Sequence, residues 1–416
     1  MQLVFRAIRV IDGTGAPPRG PVDVVVEGER IAVVVDPGEA AQFAAEPGRS
    51  TRVIDGRGRT LLPGLIDAHA HYTFDPAEGS LQAIAARTDE EILATAAEHA
   101  RRALHAGITT ARGAGSIRGL ELALRAEIAA GRIAGPRIVA AGTAVGSVDG
   151  HGAAFGLEAT GPDALARATE AVIDAGADVV KIVASEAAML TTTGHEPGRM
   201  VFGRPELDDA ELRAIVKVAH ALGRRVMAHA QDGESVVRCA RAGVDSIEHA
   251  WLADRAAIEA VAEAGSALVP TLIVTDVNRT LDGLTPVQRE RQRLIEVRHR
   301  ASCEAAVSVG VTLVAGTDTG EVGVTADMAW RELSLLAGHG LAPMDAIRAA
   351  TSNAAQLLGL GDEVGRIAPG LQADLLVVDG DPIADLTTLA TPSIVVQGGR
   401  IVVGPSDFVN GDVIAR

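Results

Sequence analysis

The chain has 416 residues, a formal net charge of −16 and an aromatic content of only 2%. This length suits one α/β barrel with an accessory unit as well as two or three average domains, so length alone does not count the domains. The acidic balance, without a cluster of lysine and arginine, argues against nucleic acid and anionic membrane as partners and favours a small-molecule substrate.

Both ends of the chain have the texture of short β-strands. The first sixty residues alternate β-branched runs with turns, as in VDVVVEGERIAVVVDPG, and the same texture returns after residue 360 in QADLLVVDGDP and SIVVQGGRIVVGP. Short runs between glycine and proline turns are typical of small β domains. We therefore predict that residues 1–60 and 361–416 together form a small β-sandwich domain.

Residues 61–360 alternate apolar strands with alanine-rich helical stretches. This alternation predicts a parallel sheet covered by helices. Eight candidate strands follow in chain order: LLPGLIDAHAH, ITTARGAG, PRIVAAGTAV, ADVVKIVAS, RRVMAHAQ, VDSIEHA, ALVPTLIV and VTLVAGTDTG. Eight such units predict a (β/α)8 TIM barrel, so the predicted fold class is α/β.

The first of these strands ends in two histidines, His69 and His71, with one alanine between them. Side chains alternate along a strand, so both imidazoles point to the same side. At the carboxyl end of a barrel strand they would face the mouth of the barrel, where active sites lie. An isolated pair of this kind also occurs as hydrogen-bonded core residues. However, His229, His249 and Asp318 end the fifth, sixth and eighth strands. Five ligand-type residues at matching strand ends predict a metal site.

Lys181 lies inside the otherwise apolar fourth strand. A lysine that extends its ammonium group to solvent is the usual explanation for such a residue. Beside metal cations, however, burial favours the neutral amine, which can add carbon dioxide to form an anionic carbamate. Because two carbamate oxygens can bridge two metals, we predict a binuclear centre with a carboxylated Lys181.

The segments DAHAH, ADVVKI, MAHA, SIEHA and GTDTG, in this order, resemble those of the amidohydrolase superfamily of metal-dependent hydrolases. The segments GITTAR, DGHG and TSNAAQLLGL are further similar to its imidazolonepropionase-like branch, which includes Xaa-Pro dipeptidase-like and ochratoxin-hydrolysing enzymes. The resemblance implies that His69, His71 and Asp318 hold the more buried metal and that His229 and His249 hold the second. It also implies that Lys181 bridges the two ions and that both are zinc.

Two positions depart from the pattern of the peptidase-like members. Those members commonly have a tyrosine that faces substrate where this chain has Gln231, and often an aspartate after the second-strand arginine, where Gly113 follows Arg112. Both departures leave the metal ligands intact. They therefore bear on the substrate and not on the metals.

The expected chemistry is attack by a hydroxide that bridges two divalent ions, since such ions make bound water a nucleophile near neutral pH. Asp318 is predicted to ligate a metal and then to act as the general base that passes a proton to the leaving amine. His151, in the DGHG loop after the third strand, is predicted to donate a hydrogen bond to the oxyanion or the substrate. Its alternative role is to tie down the glycine-rich loop.

Substrate contacts are predicted for residues around the mouth, namely Arg112, His151, His195, Gln231 and Tyr72. Arg112 can bind a substrate carboxylate bidentately, or it can pair with a structural carboxylate inside the barrel. His195 lies in the loop after the fourth strand, where it either touches substrate or is a plain surface residue. Few aromatic side chains can hold a hydrophobic acyl or aryl group, and the candidates are Tyr72, Phe74, Phe202 and Trp251.

These features predict a binuclear metal-dependent amidohydrolase that cleaves an amide, peptide-like or carbamate bond, with N-acyl amino acids among its substrates. Two alternatives stay open. A mononuclear deaminase or cyclic-amide hydrolase of the same superfamily would use the same histidines and Asp318, but such enzymes typically lack the lysine of the fourth strand. A barrel protein without catalytic activity is the third possibility, since a fold does not determine a function.

The predicted compartment is the cytoplasm. Cys239 and Cys303 are too few for a disulfide framework and too distant in sequence for a local metal knuckle. The first residues lack the pattern of a secretory signal, and no apolar run reaches about 18 residues. We expect a cytoplasmic enzyme that assembles as a homo-oligomer.

Overall fold

Strands and helices alternate between two strand-rich ends of the chain. The computed structural model describes residues 2–43, 50–78, 80–186 and 204–405. The strands are β1 (Gln2–Val10), β2 (Arg19–Glu27), β3 (Arg30–Val35), β4 (Thr51–Asp55), β5 (Arg59–Pro63), β6 (Leu65–Ala70), β7 (Ile108–Gly113), β8 (Arg137–Val139), β9 (Ala144–Gly146), β10 (Gly156–Glu158), β11 (Val179–Val183), β12 (Arg225–Asp232), β13 (Ser246–Leu252), β14 (Ala267–Val269), β15 (Leu375–Asp379), β16 (Ile394–Gln397) and β17 (Arg400–Val403). The helices are α1 (Leu81–Ala85), α2 (Asp89–His105), α3 (Glu121–Ala129), α4 (Pro162–Asp174), α5 (Asp209–Ala221), α6 (Gly233–Ala242), α7 (Arg255–Ala264), α8 (Leu272–Asn278), α9 (Pro286–Val309), α10 (Ala329–Gly338), α11 (Pro343–Ala349) and α12 (Ser352–Leu358), with short 3-10 turns at Glu39–Phe43, Ile117–Gly119 and Leu386–Ala390.

Strands from both ends of the chain pair in one sheet. Its order is β17-β16-β15-β5-β1-β2-β3, and β4 pairs with β1. The two ends meet where β5 runs antiparallel to β15, with Leu62 opposite Leu376. Alternate residues such as Leu3 and Phe5 are fully buried in an apolar cluster of this sheet, as expected for strands with one face on a core.

The middle of the chain forms parallel strands in two groups, β6-β7-β8 and β10-β9-β11-β12-β13-β14. The predicted third strand is divided, because β8 pairs with β7 whereas β9 pairs with β11. The predicted eighth strand is not a regular strand, yet the 312–319 segment is bonded on both sides. Val314 N donates to the Leu268 carbonyl at 3.0 Å, and Ala68 N donates to the Ala315 carbonyl at 2.9 Å. Both groups of strands therefore have this segment as a neighbour.

The predicted seventh strand, ALVPTLIV, is correct only in its first half. β14 ends at Val269, and α8 begins at Leu272. Pro270 cannot donate to a strand ladder, and Thr271 has φ of 52°, which turns the chain out of the strand. The carboxylate of Glu332 then accepts hydrogen bonds from the amides of Leu272 at 3.1 Å and Ile273 at 2.8 Å. A buried helix start thus replaces the end of the expected strand.

Six of the twelve α-helices of the described residues begin at a residue whose side chain caps the helix. Thr88 and Glu91 form a capping box at the start of α2, and Asp208 and Glu211 form another at the start of α5. Each box satisfies two backbone amides that a helix start leaves unpaired. None of the helices in the described part of the chain is both long and apolar enough to cross a membrane.

Candidate metal centre

The predicted metal ligands meet at the carboxyl ends of neighbouring strands. His69 lies on β6, Lys181 on β11, His229 on β12 and His249 on β13, whereas His71 directly follows β6 and Asp318 lies in the 312–319 segment. All six are buried, with relative exposures of at most 6%. Residues that are far apart in sequence thus reach one end of the parallel strands, which is the functional end of such folds.

Three of these residues form a compact group of ligand atoms. Asp318 Oδ1 lies 3.2 Å from His69 Nε2 and 3.4 Å from His71 Nε2. One ligand atom from each of the three lies within 4.8 Å of the others. Two ligands about 2.05 Å from a tetrahedral zinc ion are themselves about 3.3 Å apart. The spacing of these atoms therefore suits one shared cation.

Five imidazole rings lie in a row that begins at this group. The ring centroids are 5.3 Å apart for His71 and His69, 4.9 Å for His69 and His249, 4.6 Å for His249 and His229, and 4.9 Å for His229 and His151. The row brings the ligands predicted for the second ion next to those predicted for the first. It also adds His151 at its far end.

Hydrogen bonds at Nδ1 orient the rings. His69 Nδ1 donates to Glu248 Oε2 at 2.7 Å, and His71 Nδ1 donates to the Gly115 carbonyl at 2.8 Å. His249 Nδ1 lies 2.9 Å from Thr271 Oγ1. A proton on Nδ1 leaves the lone pair on Nε2, which is the arrangement found in histidines that ligate metals.

The Nε2 atoms test whether the site fits a cation. Nε2 of His69 and Nε2 of His229 are buried and have no hydrogen-bond partner among the described residues. Nε2 of His69 also lies 3.2 Å from a carboxylate oxygen of Asp318. A divalent cation between them would satisfy both atoms. The imidazole and carboxylate donors are those that zinc binds, so these residues fit a metal ion.

Burial favours the neutral forms of three of the histidines and of Lys181. It lowers the pKa of His71 to about 3 and holds the pKa of His229 and His249 well below the usual value. Burial also lowers the pKa of Lys181 to about 8, against the raising effect of Glu248 and Asp318. At pH 7 about a tenth of such amines are neutral, compared with about one in three thousand at an ordinary lysine pKa. The neutral amine that reacts with carbon dioxide is therefore accessible.

The guanidinium group of Arg112 is bound by buried groups of the protein. Its side chain is 3% exposed, and Nη2 donates to Glu248 Oε1 at 2.9 Å. Nε donates to the Ala68 carbonyl at 2.7 Å, and Nη1 donates to Ser246 Oγ at 2.9 Å. Of the two predicted roles, the structure shows the pairing of Arg112 with a buried carboxylate and not a position open to a substrate carboxylate. Because all three nitrogens are engaged, the guanidinium holds Glu248 instead.

Glu248 is the residue of the site that sequence reasoning missed. It connects Arg112 to His69 and is completely buried. Burial raises the pKa of Glu248, but Arg112 and His69 outweigh this effect and lower it to about 2, so the carboxylate stays ionised. The signal in the sequence was its position directly before His249 in SIEHA. An acidic residue inside an apolar strand needs a buried partner.

The backbone leaves the strand conformation where ligands must turn inward. His249 has φ of 75°, Asp318 has 60° and Thr271 has 52°. Such left-handed conformations cost residues with side chains about 1–3 kcal/mol each and cluster at functional sites. Neighbours on a strand normally point to opposite faces, yet Glu248 and His249 both approach His69. The turn at His249 explains how both can do so.

His151 lies at the entrance of the row of rings. Its ring is partly buried beside His229, and burial followed by the charge of Lys181 lowers its pKa to about 4. The neutral ring still carries one N–H donor. Its backbone amide ties down the loop by donating to Glu206 Oε1 at 2.8 Å. Within residues 2–43, 50–78, 80–186 and 204–405 the ring makes no hydrogen bond, and it lies beside the ring of His229.

The other predicted substrate contacts have different surroundings. Gln231 is buried on β12, two residues after His229, and its backbone amide donates to Ser185 Oγ at 3.0 Å. Tyr72 is only 2% exposed and belongs to the main apolar cluster together with alanines of α2, so the structure places it in the core and not at the mouth. His195 and Phe202 lie outside the described residues.

Two aromatic side chains do lie against the ligands. The Phe74 ring stacks on the ring of His71 with centroids 4.3 Å apart and an interplanar angle of 2°. The Trp251 ring lies 5.6 Å from that of His249. These aromatic rings give the site apolar walls, which exclude water and strengthen electrostatic interactions within it.

Comparisons with known proteins extend over nearly the whole chain. The model of the Amidohydrolase family matches residues 60–402. Ochratoxinase from Aspergillus niger is 29% identical over 95% of this chain and 85% of its own length. Imidazolonepropionase from Rubrobacter xylanophilus is 26% identical over 86% of this chain and 85% of its own length. A crystal structure of a Xaa-Pro dipeptidase with bound methionine in the active site has a TM-score of 0.85 at 28% identity, and covers 97% of this chain and 100% of that one.

Proposed function

Because the chain belongs to the amidohydrolase family and is a hydrolase of carbon–nitrogen bonds, we propose that it is a binuclear metal-dependent amidohydrolase. The observation that carries this proposal is the row of buried imidazoles beside Asp318, with ligand atoms of His69, His71 and Asp318 within 4.8 Å of one another. His229 and His249 continue the row. We assign the first three residues to one ion and the latter two to a second.

Lys181 completes the proposed centre as a carbamate. Its neutral amine adds to the carbon of carbon dioxide, forms an N–C bond and releases one proton, which leaves one negative charge shared by two oxygens. These oxygens would help to hold the metal ions. The amine is buried near Glu248 and Asp318, and its lowered pKa makes the neutral form accessible. We propose zinc as the metal, since imidazole and carboxylate are common zinc ligands.

Two bound zinc ions would polarise the substrate carbonyl and make a water molecule nucleophilic near neutral pH. The residues of the chain then move protons and orient the substrate. Asp318 accepts the proton of the attacking water and delivers it to the leaving nitrogen, because its carboxylate lies beside the ligand atoms. The N–H of neutral His151 donates to the substrate carbonyl oxygen, where negative charge develops.

The proposed substrate is an amide, a peptide-like amide or a carbamate with an apolar group. Phe74 and Trp251 supply aromatic surfaces beside the ligands, and Gln231 can hydrogen-bond the acyl or amine portion. The related ochratoxinase and Xaa-Pro dipeptidase suggest N-acyl amino acids and dipeptides as the first probes. A carboxylate on the substrate would need an anchor other than Arg112.

We further propose that the parallel strands close into one (β/α)8 barrel over residues 61–360, with residues 1–60 and 361–416 as a composite β domain. The bonds of the 312–319 segment to β14 and β6 support this arrangement. The proposal places every candidate ligand at the carboxyl end of the barrel. This end carries the active site in enzymes with this fold.

Metal removal and a substrate panel test the proposed function. The purified protein is stripped with a chelator, reloaded with zero, one or two equivalents of zinc, and assayed with N-acyl amino acids, Xaa-Pro dipeptides, aryl amides and aryl carbamates. We expect hydrolysis of at least one class, absent in the stripped protein and maximal at two equivalents. Maximal activity at one equivalent would favour the mononuclear alternative. No hydrolysis of any probe at any zinc loading would contradict the proposed function.

A further inference from the structure

The loop that carries His151 packs closely against Glu206 and against Val183 of β11. A Cβ atom on Gly150 would lie 2.4 Å from Glu206 Oε2, and one on Gly152 would lie 2.9 Å from Val183 Cγ2. Cβ atoms do not approach other atoms this closely, so a larger residue at either position would require the Glu206 or Val183 side chain to move. The DGHG segment thus holds a backbone that packs directly on Glu206 and on β11.

Glu206 clamps the two ends of this loop with one carboxylate. Its Oε1 accepts the backbone amide of His151 at 2.8 Å, and its Oε2 accepts the hydroxyl of Ser147 at 3.1 Å. Burial raises the pKa of Glu206, whereas the hydrogen bonds from His151 and Ser147 lower it and so favour the carboxylate form. The carboxylate therefore fixes the position from which the His151 ring leaves the backbone.

Backbone hydrogen bonds connect Glu206 to the strands that carry candidate ligands. Its backbone amide donates to the Ala184 carbonyl at 2.8 Å, and the amide of Ala184 donates to the carbonyl of His229 at 2.9 Å. Ala184 directly follows β11, the strand of Lys181. Two successive backbone hydrogen bonds thus connect the clamp to the base of the His229 side chain.

We propose that Glu206 is a positioning residue that holds His151 in register with the metal ligands; this rests on the proposed function, in which His151 contacts the substrate. The clamp sets the 4.9 Å separation between the rings of His151 and His229. A displacement of about 1 Å in a group that contacts the reacting carbonyl can cost about a hundredfold in rate. Glu206 acts on the substrate only through His151.

The same loop provides a matched control. Glu158 Oε1 accepts the backbone amide of Asp149 at 2.7 Å, so it clamps the loop two residues before His151. This contact is exposed to solvent. Glu158→Ala therefore removes a clamp of the same kind without releasing the amide of His151, and it reports what general loosening of the loop costs.

The test compares Glu206→Ala, Glu206→Gln and Glu158→Ala, each alone and with His151→Ala, on the best substrate of the panel. We expect Glu206→Ala to lower kcat/KM about 10- to 100-fold with unchanged zinc content. Glu206→Gln should restore most of the activity, because its carbonyl still accepts the amide of His151 and its amide can donate to Ser147. Glu158→Ala should stay near wild type. In the His151→Ala background, Glu206→Ala should have no further effect.

An equal loss from Glu206→Ala with and without the His151 side chain would overturn the proposal, as would a loss explained by missing zinc. Crystal structures of the wild type and of Glu206→Ala test the positioning role without an activity assay. Their result therefore does not depend on whether the proposed function is correct. We expect the His151 ring to move away from His229 in the variant while His69, His71 and Asp318 stay in place. A His151 ring that stays in its wild-type position in the variant would refute the positioning role even in an inactive protein.

Discussion

Replacing Glu248 with glutamine removes a buried negative charge that three donors share. The carboxylate accepts from His69 Nδ1 at 2.7 Å, Arg112 Nη2 at 2.9 Å and Ser246 Oγ at 2.5 Å. A glutamine carbonyl cannot serve all three donors, and its amide N–H2 then faces one of them. Outer partners of metal-ligating histidines are worth 10- to 100-fold in metal affinity. We therefore expect Glu248→Gln to weaken zinc binding by about 1.4–2.7 kcal/mol.

The same variant leaves Arg112 without a counter-charge in the interior. Removing one partner of a buried ion pair typically costs about 3–5 kcal/mol, so the thermal midpoint of the metal-free protein should fall. The double variant Arg112→Met/Glu248→Gln should recover part of that stability, since it leaves no unpaired charge. Its zinc affinity should stay below that of the wild type, because the charge that orients His69 is still absent.

Competition with a chromophoric zinc chelator measures the affinity, and thermal unfolding of the stripped protein measures the stability. Zinc binding by Glu248→Gln as tight as that of the wild type would show that Glu248 does not support the metal site. A double variant less stable than the single variant would show that the unpaired charge of Arg112 is not the source of the lost stability.

Three further expectations follow from the site. Lys181→Ala should lose at least one zinc ion per chain and most of the hydrolytic activity, and added short carboxylates should restore part of that activity. An unchanged zinc content would show that Lys181 has only a structural role. The free energy of unfolding of the stripped protein should fall as the pH drops below about 6.5, by about 1.4 kcal/mol per pH unit from His71 alone. The reason is that the pKa of His71 is about 3 in the folded protein, so the unfolded chain takes up the proton first. Urea unfolding at pH 7, 6 and 5 measures this change, and a free energy that does not vary with pH would contradict it. Arg112→Met should reduce stability and zinc affinity but leave unchanged the ratio of kcat/KM between an N-acyl amino acid and its carboxamide; a selective loss of carboxylate preference would show that the guanidinium reaches substrate.

The placement of the candidate ligands near strand ends could be predicted because it depends on the alternation of side chains and on the direction of parallel strands. His69 and His71 alternate on one strand, and parallel strands bring their carboxyl ends to the same edge. The motifs also predicted the family, which the match over residues 60–402 confirms. The alternation of strands and helices is likewise confirmed by the structure. Each of these inferences combines short local patterns and needs no knowledge of which side chains meet in space.

The contacts that the sequence analysis missed join distant segments. Arg112 pairs with Glu248, which lies 136 residues further along the chain, so nothing near Arg112 indicated which of its two roles was correct. Tyr72 directly follows His71, yet it belongs to the apolar cluster, and composition alone could not assign its direction. The apolar run after Pro270 suited a strand and a buried helix equally well, and Glu332 at a distance favours the helix.

Anomalous diffraction at the zinc absorption edge, from crystals of the zinc-loaded protein, tests the binuclear centre most directly. We expect two peaks per chain, one among His69, His71 and Asp318 and one beside His229 and His249. We also expect the Lys181 side chain to be extended by a carbamate between them. A single peak with an unmodified Lys181 would contradict the binuclear centre, and an absence of any peak at these residues would contradict the metal site itself.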